Sequence, residues 1–299
     1  MYPLEPLFRS IYTLNPNFNP KPFDLVTDRN NLRKLLRVIS GESFEPFRIN
    51  IDLVNDTLLF TRWESNSTEY LLEFRGYGHE FEKCNTISTV KNSTGHHRII
   101  QYKLGPLKAL VRFEADAYIK NYVSSPRTST SAAEVDKLVS IIEKMRLTSA
   151  VNKPQTVVPG PKEPHSSGVK IVHQGISVPN NSIVEIKTRA KHKPITIKDV
   201  APQLFFAQVS HLIVGYHSRG RFDRLEKKDF VVDGSLNRFE MQYADDLRKL
   251  IRVIEMVKKE LVKLKEKRVV LLCERGRITV YERTGGLHSL PPDLLAKWK

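Results

Sequence analysis

Apolar positions in TDRNNLRKLLRVISG, residues 27–41, recur at helical spacing behind Thr27 or Asp28 as N-cap and ahead of Gly41 as a stop, which predicts a surface helix with basic outer positions. The pattern then shifts to strand-like runs: FRINIDLV, DTLLFTRW, EYLLEFRG, RIIQYKLG and KALVRFEADAYI, several of them separated by Asn, Gly or Pro turn signals. SAAEVDKLVSIIEKMRL opens on a Ser131 to Glu134 capping-box pattern and continues as an amphipathic helix. Further strands are expected at KIVHQG, IVEIKTRA, HLIVGYHS and DFVVDG. Leu247, Leu250, Ile251, Ile254, Val257, Leu261 and Leu264 then form one apolar stripe on a long helix, and RVVLLCERGRITVYER reads as a closing hairpin.

Between these runs, residues 152–168 (NKPQTVVPGPKEPHSSG) are rich in Pro, Gly and Ser and carry no periodicity, which predicts a flexible surface insertion. Charged strands on both sides belong to one site, so the expectation is a single mixed α+β domain over residues 1–299, with mixed β-sheets flanked by helices.

Composition narrows the function. The 299 residues carry 48 Lys and Arg against 33 Asp and Glu, a formal net charge of +15, which favours a polyanionic partner, nucleic acid first and anionic membrane second. No apolar run approaches the roughly 20 residues that cross a bilayer, and the N-terminus lacks a basic start followed by an apolar segment, so no membrane partner and an intracellular location are expected. The two cysteines, Cys84 and Cys273, have neither disulfide-framework nor zinc spacing. Asn66 and Asn92 begin glycosylation-like triplets of a kind that arises often by chance.

Two strands carry charges that need explaining. If VRFEADAY is one strand, Glu114 and Asp116 share a face, as do Glu185 and Lys187 in IVEIKTRA. Two carboxylates so placed repel by roughly 2 kcal/mol at an effective dielectric near 20, and burial adds a desolvation cost. An acid pair on one strand with Glu-x-Lys on another is what metal-dependent phosphodiester hydrolysis requires, because carboxylates hold divalent ions and a lysine orients the nucleophile. The same residues read equally as surface charge or structural ion pairs. Glu82 in GHEFE adds a carboxylate, Arg62 a cation in an otherwise apolar strand, and Gln203 a polar group in an apolar, helical stretch.

The order of these motifs resembles the DXO family of RNA 5′-end decapping nucleases, some of whose fungal members partner a 5′ to 3′ exoribonuclease. The resemblance rests on Arg62 beside Trp63, on GHEFE with Gly78 and Glu82, on Glu114 and Asp116 in EAD, on Glu185 and Lys187 in EIK, and on Gln203 ahead of IVGYH, and it runs from about residue 20 to about residue 235. It implies a PD-(D/E)XK-type nuclease core. Glu82, Glu114, Asp116 and Glu185, with the Ile186 carbonyl, would ligate two Mg²⁺ or Mn²⁺ ions; Lys187 and Gln203 would position the attacking water; Arg62 would face RNA phosphates. The implied activity is removal of incomplete, NAD or triphosphate 5′ ends, with 5′ to 3′ degradation in some members and a nuclear location. Two rival readings remain: a catalytically weak RNA-binding partner of a separate 5′ to 3′ exoribonuclease, and a DNA nuclease on the same core. The stretch between EAD and EIK is longer here than is usual in the family, and HEF replaces the more usual aromatic and basic residues.

Overall fold

The computed structural model describes residues 2–64, 76–120 and 169–299. The strand expected at EYLLEFRG (all but its last residue), the helix expected from Ser131, the segment 152–168 and Asn66 lie outside the described residues. The described residues belong to one compact unit.

Along that unit run α1 (Glu5–Leu14), β1 (Leu25–Asp28), α2 (Arg29–Ile39), β2 (Phe47–Val54), β3 (Thr57–Trp63), α3 (Gly78–Asn85), β4 (His97–Leu104), β5 (Leu107–Glu114) and a short β6 (Ala117–Tyr118). After residue 169 follow β7 (Ile183–Ala190), α4 (Ile197–Ala207), β8 (His211–Ser218), β9 (Arg221–Asp229), α5 (Ser235–Gln242), α6 (Ala244–Lys263), β10 (Arg268–Glu274), β11 (Arg277–Glu282) and α7 (Pro292–Leu295). The fold class is mixed α+β, as the alternation of periods implies.

Seven strands form one sheet in the order β11-β10-β2-β3-β1-β5-β4, and four form a second in the order β6-β7-β8-β9. In the larger sheet β1 lies between β3 and β5, parallel to both, with Val26 opposite Leu59 and Asp28 opposite Arg112. The carboxyl ends of these three strands therefore meet at one end of the sheet, and they deliver Arg29, Arg62 and Glu114 there. In the smaller sheet β7 and β8 are parallel, with Glu185 opposite Leu212.

Alternation along the strands gives the larger sheet two apolar faces. Ile49, Ile51, Phe60 and Val111 meet Leu32, Leu35 and Leu36 of α2 and Leu250, Ile254, Val257 and Leu261 of α6. Val26, Leu59 and Leu110 meet Leu4, Leu7 and Phe8 from the N-terminal end and Trp298. Helix α4 joins the two sheets: Ala201 and Phe206 belong to the first core, while Val200 and Leu204 pack with Val214, Tyr216 and Phe230 around the smaller sheet. Its N-terminus is fixed by a capping box between Thr196 and Asp199. A helix packed on both sides is a stiff mount for Gln203; truncating its fully buried Leu204 to Ala would cost about 2–5 kcal/mol.

Three sequence expectations need correction. VRFEADAY is not one strand: β5 stops at Glu114, Ala115 and Asp116 cross to the second sheet, and β6 begins at Ala117, so Glu114 and Asp116 do not share a strand face. KIVHQG is irregular, and DFVVDG is the turn after β9, with Val231 and Val232 exposed. The strand there is RFDRLEKKD, an edge strand whose residues are mostly exposed, so no apolar alternation marks it. GHEFEKCN, not among the helices expected from the sequence, is the helix α3, which buries Phe81 against Val184 and Ile186.

Candidate active site

Strand β7 carries Glu185 inward, 2 % exposed, and Lys187 two residues on. Lys187 Nζ and Gln203 Nε2 both donate to Glu185 Oε1, while Arg29 Nη1 donates to Glu185 Oε2 at 2.8 Å. The Gln203 carbonyl accepts from Arg33 Nη1 at 3.1 Å, and Arg33 Nη2 donates to Asn30 Oδ1 at 3.1 Å. Asp116, at the crossover between the sheets, accepts the Ile186 backbone N–H at 2.7 Å through Oδ2, the oxygen that lies 4.0 Å from Lys187 Nζ. Two carboxylates, one ammonium, two amides and two guanidiniums thus form a continuous network drawn from β7, α4, α2 and the crossover.

Local structure explains how each group arrives. Asp28 ends β1 and forms a bidentate pair with Arg112 of β5 at 2.6 and 3.0 Å, which ties the two parallel strands together at their carboxyl ends. Arg29, the next residue, is thereby the first of α2; its guanidinium lies over the Phe113 ring at 5.4 Å and reaches Glu185 in the other sheet.

Burial and charge divide the two acids. Burial, then the Glu185 charge, raise the Asp116 carboxyl from 3.8 to about 7; Lys187 and the Ile186 N–H oppose this and Glu82 adds to it. Glu185 goes the other way: burial works against its charge, but Lys187 and Arg29 outweigh it and hold the carboxyl below its ordinary range. Near neutral pH, Glu185 is the charged member of the pair and Asp116 the one that can take up or give a proton.

Asp116, Glu185, Lys187 and Gln203 are therefore brought together. Glu82 lies on α3, near enough to act on the Asp116 charge, with His79 Nδ1 4.0 Å from its carboxylate. Glu114 is exposed at the end of β5; its backbone carbonyl receives Arg29 Nη2 at 3.5 Å, and its side chain lies against Gly95. Arg62 is exposed at the end of β3 and paired with Glu64. Sequence reading missed Arg29 and Arg33. Their signal was the four-residue spacing of Arg29, Arg33 and Arg37, which reads as a solvated helix face until α2 is seen to begin at the site.

The fit to a metal is partial. Asp116 and Glu185 are hard oxygen donors whose mutual repulsion a divalent cation would answer, as the raised Asp116 carboxyl indicates. Among the described residues, however, no three of His, Cys, Asp and Glu converge closely enough to enclose an ion.

A family model described as a domain of unknown function (DUF8563) matches residues 1–298. The chain belongs to the DUF8563 family. No curated protein matches this DUF8563 chain in sequence. Several solved structures match it in fold. Rai1 of Scheffersomyces stipitis, in complex with (3′-NADP)+ and calcium ion, is 12% identical, with 95% of this chain and 74% of that chain covered and a TM-score of 0.57. Rai1 of Candida albicans, in complex with pU5-Mn2+, is 13% identical, with 92% and 75% covered and a TM-score of 0.55. Dxo1 of K. lactis, in complex with manganese, is 10% identical, with 95% and 72% covered and a TM-score of 0.54. The resemblance read from the order of motifs is thus borne out in the fold, at an identity far too low to carry individual residues across.

Proposed function

We propose that this DUF8563 chain is a metal-dependent hydrolase of RNA 5′ ends, removing incomplete, NAD or triphosphate ends and continuing 5′ to 3′ along the strand. The observation that carries this reading is the Asp116–Glu185 pair with Lys187 between its members, set at the junction of two sheets in a fold whose neighbours were solved with RNA, dinucleotides and divalent ions. Asp116 and Glu185, with the Ile186 carbonyl, would hold a divalent cation, Mg²⁺ or Mn²⁺; Glu82 and Glu114 would serve a second ion. Such a cation supplies Lewis-acid stabilisation of charge on phosphoryl oxygens.

The chain's own groups have separate tasks. Lys187 and Gln203 would orient an attacking water, Gln203 with its amide fixed from behind by Arg33. Binding the cation would displace the proton that burial and Glu185 favour on Asp116 in the free protein. Arg29 and Arg62 would neutralise phosphate charge.

A second reading is favoured by one observation: Glu185 is already engaged by Arg29, Lys187 and Gln203, and three acids do not converge among the described residues. On that reading the chain binds RNA without cleaving it and supports a separate 5′ to 3′ exoribonuclease. Incubation of purified protein with Mg²⁺ or Mn²⁺ and labelled RNAs bearing monophosphate, triphosphate, NAD, and unmethylated or methylated caps separates the two. Metal-dependent release of the 5′ group supports the hydrolase; retention of every end together with tight RNA binding supports the partner.

A further inference from the structure

We infer that α2 is a phosphate ladder, on which Arg29, Arg33 and Arg37 receive successive phosphates of a single RNA strand running from the Asp116–Glu185 pair toward the C-terminal end of the helix. The inference rests on the reading of that pair as a 5′-end site and extends it to the body of the strand.

The three arginines stand four residues apart, so they form one row along α2. Each step along that row is about 6 Å, comparable to the separation of neighbouring phosphates in an extended strand. The adjoining side of the helix is committed to the core through Leu32, Leu35 and Leu36. The row is graded in exposure: Arg29 lies mostly covered against Glu185, Arg33 is half-buried against Gln203 and Asn30, and Arg37 is exposed. A strand held at the acid pair would therefore meet Arg29 first and leave past Arg37.

The electrostatics agree with the geometry. Burial, then the charges of Arg29 and Arg37, lower the proton affinity of Arg33, with Arg62 adding to the effect and Glu185 opposing it. Like charges held this close on a partly desolvated surface are unfavourable in the free protein, and a row of anions would offset them. An ordinary solvated helix face would not send its first two cations into hydrogen bonds with the site. Lys34 is left out of the ladder, because Glu64 and Glu45 offset part of its charge and its ammonium lies 5.7 Å from the Phe47 ring.

The test is equilibrium binding of 5′-phosphorylated oligouridylates of increasing length, from one to six nucleotides, in EDTA and again with Ca²⁺. The proteins compared are the wild type, Arg37→Gln, Arg33→Gln, and Arg252→Gln, the last removing the same charge from the exposed side of α6. Wild-type affinity should climb with length. Arg37→Gln should match it on the shortest probes and fall behind by roughly fivefold on the longer ones. Its log–log salt slope there should be shallower by about 0.7. Arg33→Gln should fall behind at a shorter length than Arg37→Gln, and Arg252→Gln should follow the wild type throughout. If the wild type binds these probes and Arg37→Gln tracks it at every length, or Arg252→Gln loses as much, the ladder is wrong and the 5′-end site stands. If the wild type binds none of them, the site reading falls and the ladder with it.

Discussion

Arg29 and Glu185 are 156 residues apart in sequence and meet at 2.8 Å, so the first residue of a helix packed on one sheet closes on the central acid of the other. Arg29→Gln removes one of the two cations that keep Glu185 charged. Glu185 retains Lys187 and Gln203, so the variant should fold but lose about 2 kcal/mol. Thermal melting at neutral pH checks this. An unchanged melting temperature would mean that the pair contributes nothing to holding the sheets together.

The two acids should respond in opposite directions to removal of their charge. Asp116→Asn keeps an oxygen for the Ile186 N–H and deletes a carboxylate that burial and Glu185 disfavour, so in EDTA it should raise stability by about 1–3 kcal/mol above pH 7. The sign follows from the shift. The unfolded group ionises near 3.8 and the folded group near 7, so the wild type loses stability as pH rises between those values, and the gap should shrink to nothing by about pH 4. Melting curves at several pH values read it directly.

Glu185→Gln leaves Arg29 and Lys187 without their counter-charge and should cost about 3 kcal/mol at pH 7. Its carboxyl lies below its ordinary 4.5 in the folded state, so the stability it contributes is present above about that pH and is lost in acid, where the variant's deficit should narrow. Both substitutions should lower hydrolysis by roughly a hundredfold or more.

How much of this was legible in the sequence depended on whether the signal was local. β2, β3, β7, β8, α6 and the β10–β11 hairpin announced themselves, because each carries a run or a stripe of apolar residues. β9 did not, since an edge strand rich in Arg, Lys, Asp and Glu has no buried face to write into the sequence. Glu185, Lys187 and Gln203 were legible as polar groups in apolar surroundings, whereas Arg29 and Arg33 were hidden by looking like an ordinary wet helix face. The placement of Asp116 away from Glu114 was invisible, because two residues of crossover between sheets look the same as two residues of strand.

Metal binding should register without any turnover. An ion held by Asp116 and Glu185 stabilises the folded chain by about 2.7 kcal/mol at a hundred times its dissociation constant. Mn²⁺ should therefore raise the wild-type melting temperature by several degrees and leave that of Asp116→Asn nearly unmoved. Equal shifts in the two proteins would place the ion elsewhere.

The measurement closest to the central claim compares a linear 5′-phosphorylated RNA with a closed circle of the same sequence, incubated with the wild type and with Asp116→Asn at matched metal and salt. A site that must receive a free 5′ end consumes the linear form and spares the circle, and Asp116→Asn spares both. Cleavage of circle and line at equal rates would show an open groove and an endonuclease, and would contradict the 5′-end account.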